Sequence, residues 1–219
     1  MAVGLSSTSA IFSDDGGLHW HASEGFPEGG TGESALIELS DGTIVHNSRK
    51  HYYADPESGY EWRRFVTTSH DGGRSWHGIH VAATIPDGPR YRGDEKRGHN
   101  YNGHFGLCAG LVRLPLAEAD ILVYSSCDEP GHERQRGSVW ASFDGGKSWP
   151  RRRLVHEGPF AYSSLAAGRC GTASEGLIYL QYEGGENHRY QGGYIACFNL
   201  SWLLAGDDTG DGDVPIWLR

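Results

Sequence analysis

An eight-residue motif, S-x-D-G-G-x-x-W, occurs three times in the chain and constrains the fold more than any other sequence feature. An aspartate side chain can accept hydrogen bonds from the backbone of its own turn, and glycine supplies positive φ. The tryptophan is expected to cover the turn and bury a large apolar area. Each copy therefore predicts a hairpin turn. Its structural residues are Asp15, Trp20, Asp71, Trp76, Asp144 and Trp149.

The spacing of the copies indicates a larger repeating unit. Counted from aspartate to aspartate, they lie 56 and 73 residues apart, which suits one four-stranded propeller blade each. Glycine makes up 33 of the 219 residues, and charged residues make up only 21%. This composition excludes a disordered chain and favours an all-β fold with many tight turns.

Segments rich in β-forming residues flank these turns and define the predicted strands. Two strands enclose the first motif. The others form two units of four and one unit of three: 34–39, 43–48, 62–68 and 79–84; 107–114, 121–126, 137–141 and 152–156; 162–167, 176–182 and 193–199. A short helix is predicted at 201–205. The polar segment 206–213 resembles a calcium loop only superficially, because the closing glutamate is missing.

Net charge, apolar runs and cysteine spacing make several kinds of partner and site unexpected. The net charge of −9 disfavours nucleic acid and anionic membranes as partners. The longest apolar runs are too short to span a bilayer, and the first residues show no signal peptide, so localisation stays open. The histidines show no metal-binding spacing, and neither a metal nor a cofactor is expected. Four cysteines without C-x-x-C spacing predict buried thiols on strands, with disulfides left open: Cys108, Cys127, Cys170 and Cys197.

The repeated motif is similar to the Asp box, and the sequence between the copies resembles the bacterial and lysosomal sialidases (neuraminidases). Glu33 precedes an E-L-S-D-G hairpin, and Arg49 closes the following N-S-R strand end. Arg134 lies fifteen residues before Trp149, and Tyr162 lies thirteen residues after it. The resemblance implies a six-bladed β-propeller of the sialidase type. Residues 1–219 are expected to form about three to four of its blades, as a single and N-terminally incomplete domain.

The same resemblance implies hydrolysis of terminal α-linked sialic acid from glycoconjugates. Tyr162 would be the nucleophile and Glu33 its base, with Arg49 and Arg134 binding the substrate carboxylate; Arg136 is a close rival of Arg134. The planar fork of a guanidinium suits a carboxylate. A neutral tyrosine avoids the repulsion that this carboxylate would exert on an anionic nucleophile, and sialidases are among the glycosidases with a tyrosine nucleophile.

The positions of these residues along the predicted strands can be compared without reference to the family. In an antiparallel meander, the first strand starts, the second ends and the third starts on the same side. Glu33 precedes a first strand, Arg49 follows a second, Arg134 precedes a third and Tyr162 begins a first. All four are therefore expected on one face, with the Asp-box turns on the other.

Two further residues that the resemblance calls for are not found. No R-I-P motif supplies the first arginine of the sialidase triad, and no candidate stands for the aspartate acid/base. Weak or no hydrolysis is therefore expected of the chain, with a missing N-terminal half or a strand partner completing the fold. The alternative is a non-catalytic Asp-box propeller that serves as a glycan-binding or assembly module. The sequence does not separate a hydrolase from a trans-sialidase or a lyase.

Overall fold

The computed structural model describes residues 7–50, 63–88, 106–117, 119–128, 133–205 and 207–208. Nearly every element in these ranges is a strand. In chain order the elements are β1 (Ser9–Phe12), β2 (His21–Gly25), β3 (Thr31–Glu38), β4 (Ile44–Lys50), β5 (Arg63–Ser69), β6 (His77–Pro86), β7 (Gly110–Arg113), β8 (Leu122–Cys127), β9 (Gln135–Ser142), β10 (Arg151–Ala167), β11 (Leu177–Gly184), β12 (Gly192–Asn199), α1 (Leu200–Leu204) and β13 (Asp207–Asp208). Trp62 and most of the predicted polar segment 206–213 lie outside the described residues.

The strands form antiparallel units in the predicted order. β1 and β2 form a hairpin, and β3, β4, β5 and β6 form a four-stranded sheet. β7, β8, β9 and the first half of β10 form the next unit, and the second half of β10 forms a third with β11 and β12. The innermost strands β3 and β10 both contact β7. The all-β propeller prediction is confirmed, as is the short helix.

The prediction of separate strands at 152–156 and 162–167 is wrong, because β10 runs without a break from Arg151 to Ala167. Its first half pairs with β9 and its second half with β11, with register shifts on both sides of Pro159. Proline has no N–H to donate, so it is tolerated where a strand changes partner. The chain thus passes from the outer edge of one unit to the inner edge of the next without a loop.

The three motif turns share one hydrogen-bond pattern, which the second copy illustrates. The Ser69 hydroxyl donates to Asp71 Oδ1 at 2.7 Å and accepts from the Gly73 N–H at 2.9 Å. Asp71 Oδ1 also accepts from the Ser75 N–H at 3.0 Å. The Ser75 hydroxyl makes the largest contribution holding the pKa of Asp71 well below its usual range. The corresponding bonds recur at residues 13–19 and 142–148.

The tryptophans of the three motifs differ in burial, which corrects one expectation. Trp76 and Trp149 are buried, whereas Trp20 is 59% exposed. Trp76 donates its Nε1–H to Glu24 O on β2 at 3.1 Å, so the preceding hairpin covers it. Trp20 donates only to Gly17 O in its own turn, at 3.0 Å. The motif therefore shapes the turn, while burial of the indole depends on a neighbouring sheet.

We expect Trp149→Phe to lower the free energy of unfolding by about 1–2 kcal/mol, because the smaller ring leaves a space in a packed core. The same change at Trp20 is expected to cost less than about 0.5 kcal/mol, since that side chain is largely solvated. Urea unfolding followed by circular dichroism measures both values. Equal losses for the two variants would contradict this account of the motif.

The prediction of buried thiols on strands is confirmed at one of the four cysteines. Cys127 is buried on β8, Cys108 is half-buried, and Cys170 and Cys197 are exposed; all four are free thiols. Cys197 faces solvent because β12 packs only one face on the core, so a strand position alone did not imply burial. Among the described residues, no helix is long and apolar enough to cross a bilayer.

His46 on β4 is buried in an aromatic setting. Its ring centroid lies 4.9 Å from that of Phe26 and 4.7 Å from that of Trp76. In the described part of the chain, neither ring nitrogen has a hydrogen-bond partner. Burial, followed by the positive charge of Arg64, lowers the pKa of His46 to about 4. The imidazole is therefore neutral in the folded protein at pH 7.

This histidine should make the protein acid-sensitive. The unfolded chain takes up the proton near pH 6.5 and the folded chain only near pH 4, so stability falls as the pH drops through this range. The loss amounts to about 3 kcal/mol. We expect His46→Leu to remove this loss and the exposed-site variant His80→Leu to keep it, measured by urea unfolding at pH 4 to 7. Parallel pH curves for wild type and His46→Leu would contradict the assignment.

Candidate active site

The first pair of predicted site residues meets across two strands. β3 and β4 pair Gly32 with Arg49, which brings the adjacent Glu33 beside the arginine. The Arg49 guanidinium donates through Nη1 to Glu33 Oε2. The Arg49 side chain is only 2% exposed, whereas that of Glu33 is 32% exposed. The carboxylate thus faces the open side of the pair, and the guanidinium lies beneath it.

The second pair joins Arg134, immediately before β9, with Tyr162 in β10. The Arg134 guanidinium lies over the Tyr162 ring, with Cζ 5.0 Å from the ring centroid. Its Nη1 donates to the Tyr190 hydroxyl and its Nη2 to Gly106 O, both at 2.8 Å. Arg134 and Tyr162 are both half-buried. Arg136, the rival candidate, pairs instead with Glu157.

A short backbone segment, residues 106–108, links the two pairs. Its three successive carbonyl oxygens each accept a hydrogen bond. Gly106 O accepts from Arg134 Nη2 at 2.8 Å, Leu107 O from Arg64 Nη1 at 3.1 Å, and Cys108 O from the Ser163 N–H at 3.0 Å. Arg64 also donates to the Glu33 carbonyl oxygen at 3.4 Å. The segment therefore connects the strand that carries Glu33 with the strand that carries Tyr162.

All four predicted residues share one side of the sheets, as the topology predicts. Arg134 precedes β9, whereas Asp144 follows its other end; Arg49 likewise lies at the opposite end of its sheet from Asp71. In the described part of the chain, Glu33 and Tyr162 are not hydrogen-bonded to each other. The Glu33 carboxylate instead accepts a hydrogen bond from Arg49. Within the same ranges, no three His, Cys, Asp or Glu side chains form a metal-binding group.

A buried ion pair lies beneath this surface. The side chains of Arg64 and Asp87 are fully buried, with Nη1 of Arg64 2.6 Å from Oδ1 of Asp87. Arg64 Nε also donates to Asn47 Oδ1 at 2.7 Å, and the Lys50 N–H donates to Asp87 Oδ2 at 2.8 Å. Burial is the largest single effect on Arg64 and lowers its pKa, but several opposing interactions, led by the charge of Asp87, together raise the pKa above its usual value. Burial raises the pKa of Asp87 to about 6 against the opposing effect of Arg64.

Comparison with known proteins gives a consistent result. No family model matches the chain. A sialidase of Micromonospora viridifaciens is 30% identical over 204 residues, which cover 92% of this chain and 27% of the relative. Among solved structures, a Hadza microbial sialidase superposes with a TM-score of 0.63 at 24% identity, covering 88% of this chain and 32% of that one. A Streptococcus pneumoniae sialidase gives 0.65 at 16% identity, covering 91% and 28%.

The chain is therefore similar in sequence and in fold to the bacterial-type sialidases. It spans about a quarter of the length of its Micromonospora relative. An intramolecular trans-sialidase from Ruminococcus gnavus is also similar in fold, with a TM-score of 0.62 at 18% identity over 88% of this chain and 38% of that one. The fold of this chain is therefore similar both to sialidases and to an intramolecular trans-sialidase.

Sequence reasoning missed three residues that build this candidate site. Arg64 and Asp87 stand in strand and turn segments where charged residues are usually solvated, so nothing local marks their burial. Tyr190 lies between the predicted strands 176–182 and 193–199, where the sequence pointed to no site residue. The sequence shows only that residue 106 is glycine, and the structure explains why: its φ is 73°. A Cβ there would lie 2.6 Å from the Asp87 backbone oxygen, so only glycine fits.

Proposed function

We propose that this face is the nucleophile-bearing part of a retaining exo-α-sialidase site acting on sialylated glycans. The observation that carries the proposal is the Arg134 guanidinium over the Tyr162 ring, 5.0 Å from Cζ to centroid. This contact supports the proposal because a guanidinium can bind a carboxylate and a neutral tyrosine can attack beside an anionic substrate group. The link through residues 106–108 adds Glu33 and Arg49 to the same surface.

Substrate binding would begin with the carboxylate on the anomeric carbon of sialic acid. A guanidinium has five N–H donors, and Arg134 uses one each at Nη1 and Nη2 for its two protein contacts. Donors therefore remain on Arg134 for the substrate carboxylate. Arg49, which is almost fully buried, would contribute from below, next to Glu33. Charge-assisted bonds of this kind are stronger than neutral ones and fix orientation.

The chemical step would pass through a covalent tyrosyl intermediate. As the Tyr162 oxygen attacks the anomeric carbon, the Glu33 carboxylate takes the phenolic proton, and the bond to the leaving oxygen breaks while that oxygen takes a proton from solvent. Water then attacks the same carbon and releases one proton to solvent, and Glu33 returns its proton to the departing Tyr162 oxygen, which gives overall retention. Glu33 must turn from Arg49 towards the Tyr162 hydroxyl for the first step. The acceptor that attacks the intermediate decides between hydrolysis and transfer.

A glycan-binding module without turnover is the second candidate. The observation that favours it is that Glu33 is bonded to Arg49 and not to Tyr162. Such a module would use the same arginines to hold a sialylated glycan, with no proton transfer from Tyr162.

An aryl α-sialoside separates the two candidates, because a phenolate leaving group needs little help from a general acid. We expect the purified chain to hydrolyse it, with the α-anomer of sialic acid as first product by proton NMR. A sialyl-galactoside should react much more slowly if no acid/base is supplied. Binding without turnover would favour the glycan-binding module. Absence of both binding and turnover would overturn both candidates.

A further inference from the structure

The tip of the β11–β12 hairpin, residues 185–191, folds back beside the Arg134–Tyr162 pair. Its shape is held by local bonds: the Gln191 N–H donates to His188 O at 3.1 Å, and the Gly185 N–H donates to Pro159 O at 3.3 Å. The Asn187 N–H donates to Gln191 Oε1 at 3.1 Å. The hairpin tip is therefore anchored both to itself and to β10.

Tyr190 is the residue of this tip that reaches the site. Its hydroxyl accepts the hydrogen bond from Arg134 Nη1 at 2.8 Å, and its ring centroid lies 6.4 Å from that of Tyr162 in an edge-on arrangement. Tyr190 is 48% exposed, although its ring makes three contacts. Those contacts are with Tyr162, His188 and the guanidinium of Arg189.

We propose that Tyr190 is a positioning residue that sets the orientation of Arg134 for the carboxylate of a sialic acid. This inference rests on the proposed function. Gly106 O and the Tyr190 hydroxyl hold the two terminal nitrogens of Arg134, so the guanidinium plane is fixed over the Tyr162 ring. Without the hydroxyl, Nη1 loses its protein acceptor and the fork can rotate. Substrate binding is therefore expected to weaken more than the chemical step.

The test compares Tyr190→Phe and Tyr190→Ala with a matched control on the same hairpin, Tyr194→Phe. Tyr194 is 41% exposed and stacks on Tyr182, with a centroid distance of 5.5 Å. We expect the Kd for free sialic acid to rise about fivefold to tenfold in Tyr190→Phe, as for one lost hydrogen bond, and further in Tyr190→Ala. Tyr194→Phe should leave it unchanged. With an aryl α-sialoside, KM should rise while kcat changes less than twofold.

A second readout follows Arg134 itself, through its Nε–H resonance in a proton–nitrogen NMR spectrum, assigned with Arg134→Lys. The resonance should shift in Tyr190→Phe and stay in place in Tyr194→Phe. Wild-type affinity and an unshifted resonance in Tyr190→Phe would overturn the role of Tyr190 while leaving the proposed function standing. A wild-type chain that fails to bind sialic acid would overturn the proposed function itself.

Discussion

We expect Tyr162→Phe to lower kcat/KM for an aryl α-sialoside by about 10³-fold or more, because the substitution removes the oxygen that is proposed to attack the substrate. The phenyl ring and the Arg134 guanidinium stacked on it would remain, so the site should keep its shape. Affinity for free sialic acid should accordingly stay within about twofold of wild type. Initial rates over a range of substrate concentrations, together with calorimetric titration, measure the two quantities.

Two variants make this result specific. Glu33→Gln removes the proton acceptor and is expected to lower kcat by about 10²-fold, the usual contribution of a positioned base. Tyr179→Phe on β11 removes a tyrosine hydroxyl outside the site and should leave the rate unchanged. If Tyr162→Phe retained a rate within threefold of wild type, Tyr162 would not be the nucleophile.

Asp87→Asn should lower the free energy of unfolding by about 3–5 kcal/mol, the usual cost of removing one partner from a buried ion pair. Both carboxylate oxygens of Asp87 accept hydrogen bonds, from Lys50 N–H at 2.8 Å and from Arg64 Nη1 at 2.6 Å. Either orientation of an asparagine amide therefore points N–H groups at a donor. The Arg64 charge would also be left in a fully buried position. Urea unfolding at pH 7.5 measures the loss.

Glu157→Gln provides the control, because it breaks the ion pair with Arg136 in a solvated setting. The Glu157 side chain is 71% exposed, so we expect a change below about 1 kcal/mol. The double variant Arg64→Met with Asp87→Leu should cost less than the sum of the single changes, since neither partner is left as an unpaired charge. Equal losses in Asp87→Asn and Glu157→Gln would show that burial of the Arg64–Asp87 pair does not matter.

The motif turns could be predicted from the sequence because their bonds are local. Ser69, Asp71 and Ser75 lie within seven residues of one another, so their hydrogen bonds do not depend on the rest of the fold. The exposure of Trp20 could not be predicted in the same way, since it depends on which sheet packs over the indole. The pairing of Arg134 with Tyr162 could be predicted in part. Strand topology predicted that both residues lie at one end of the sheets, but it did not predict their contact.

The residues that the sequence did not reveal act over long separations. Arg64 meets Asp87 across 23 residues, and Tyr190 meets Arg134 across 56 residues. A charged residue in a strand segment is usually solvated. Its burial can be recognised only once the fold places the opposite charge next to it. The continuity of β10 was missed because it also depends on distant partners. Proline usually ends a strand, but Pro159 is tolerated where β10 changes its partner from β9 to β11.

The central claim is that Tyr162 forms a covalent bond to sialic acid on the face that Glu33, Arg49 and Arg134 share. Incubating the chain with 2,3-difluorosialic acid bearing an anomeric fluoride, followed by peptide mass spectrometry, tests it most directly. We expect one added sialosyl group on the peptide that contains Tyr162, and none in Tyr162→Phe. A label on another residue, or an unlabelled wild-type chain, would contradict the claim.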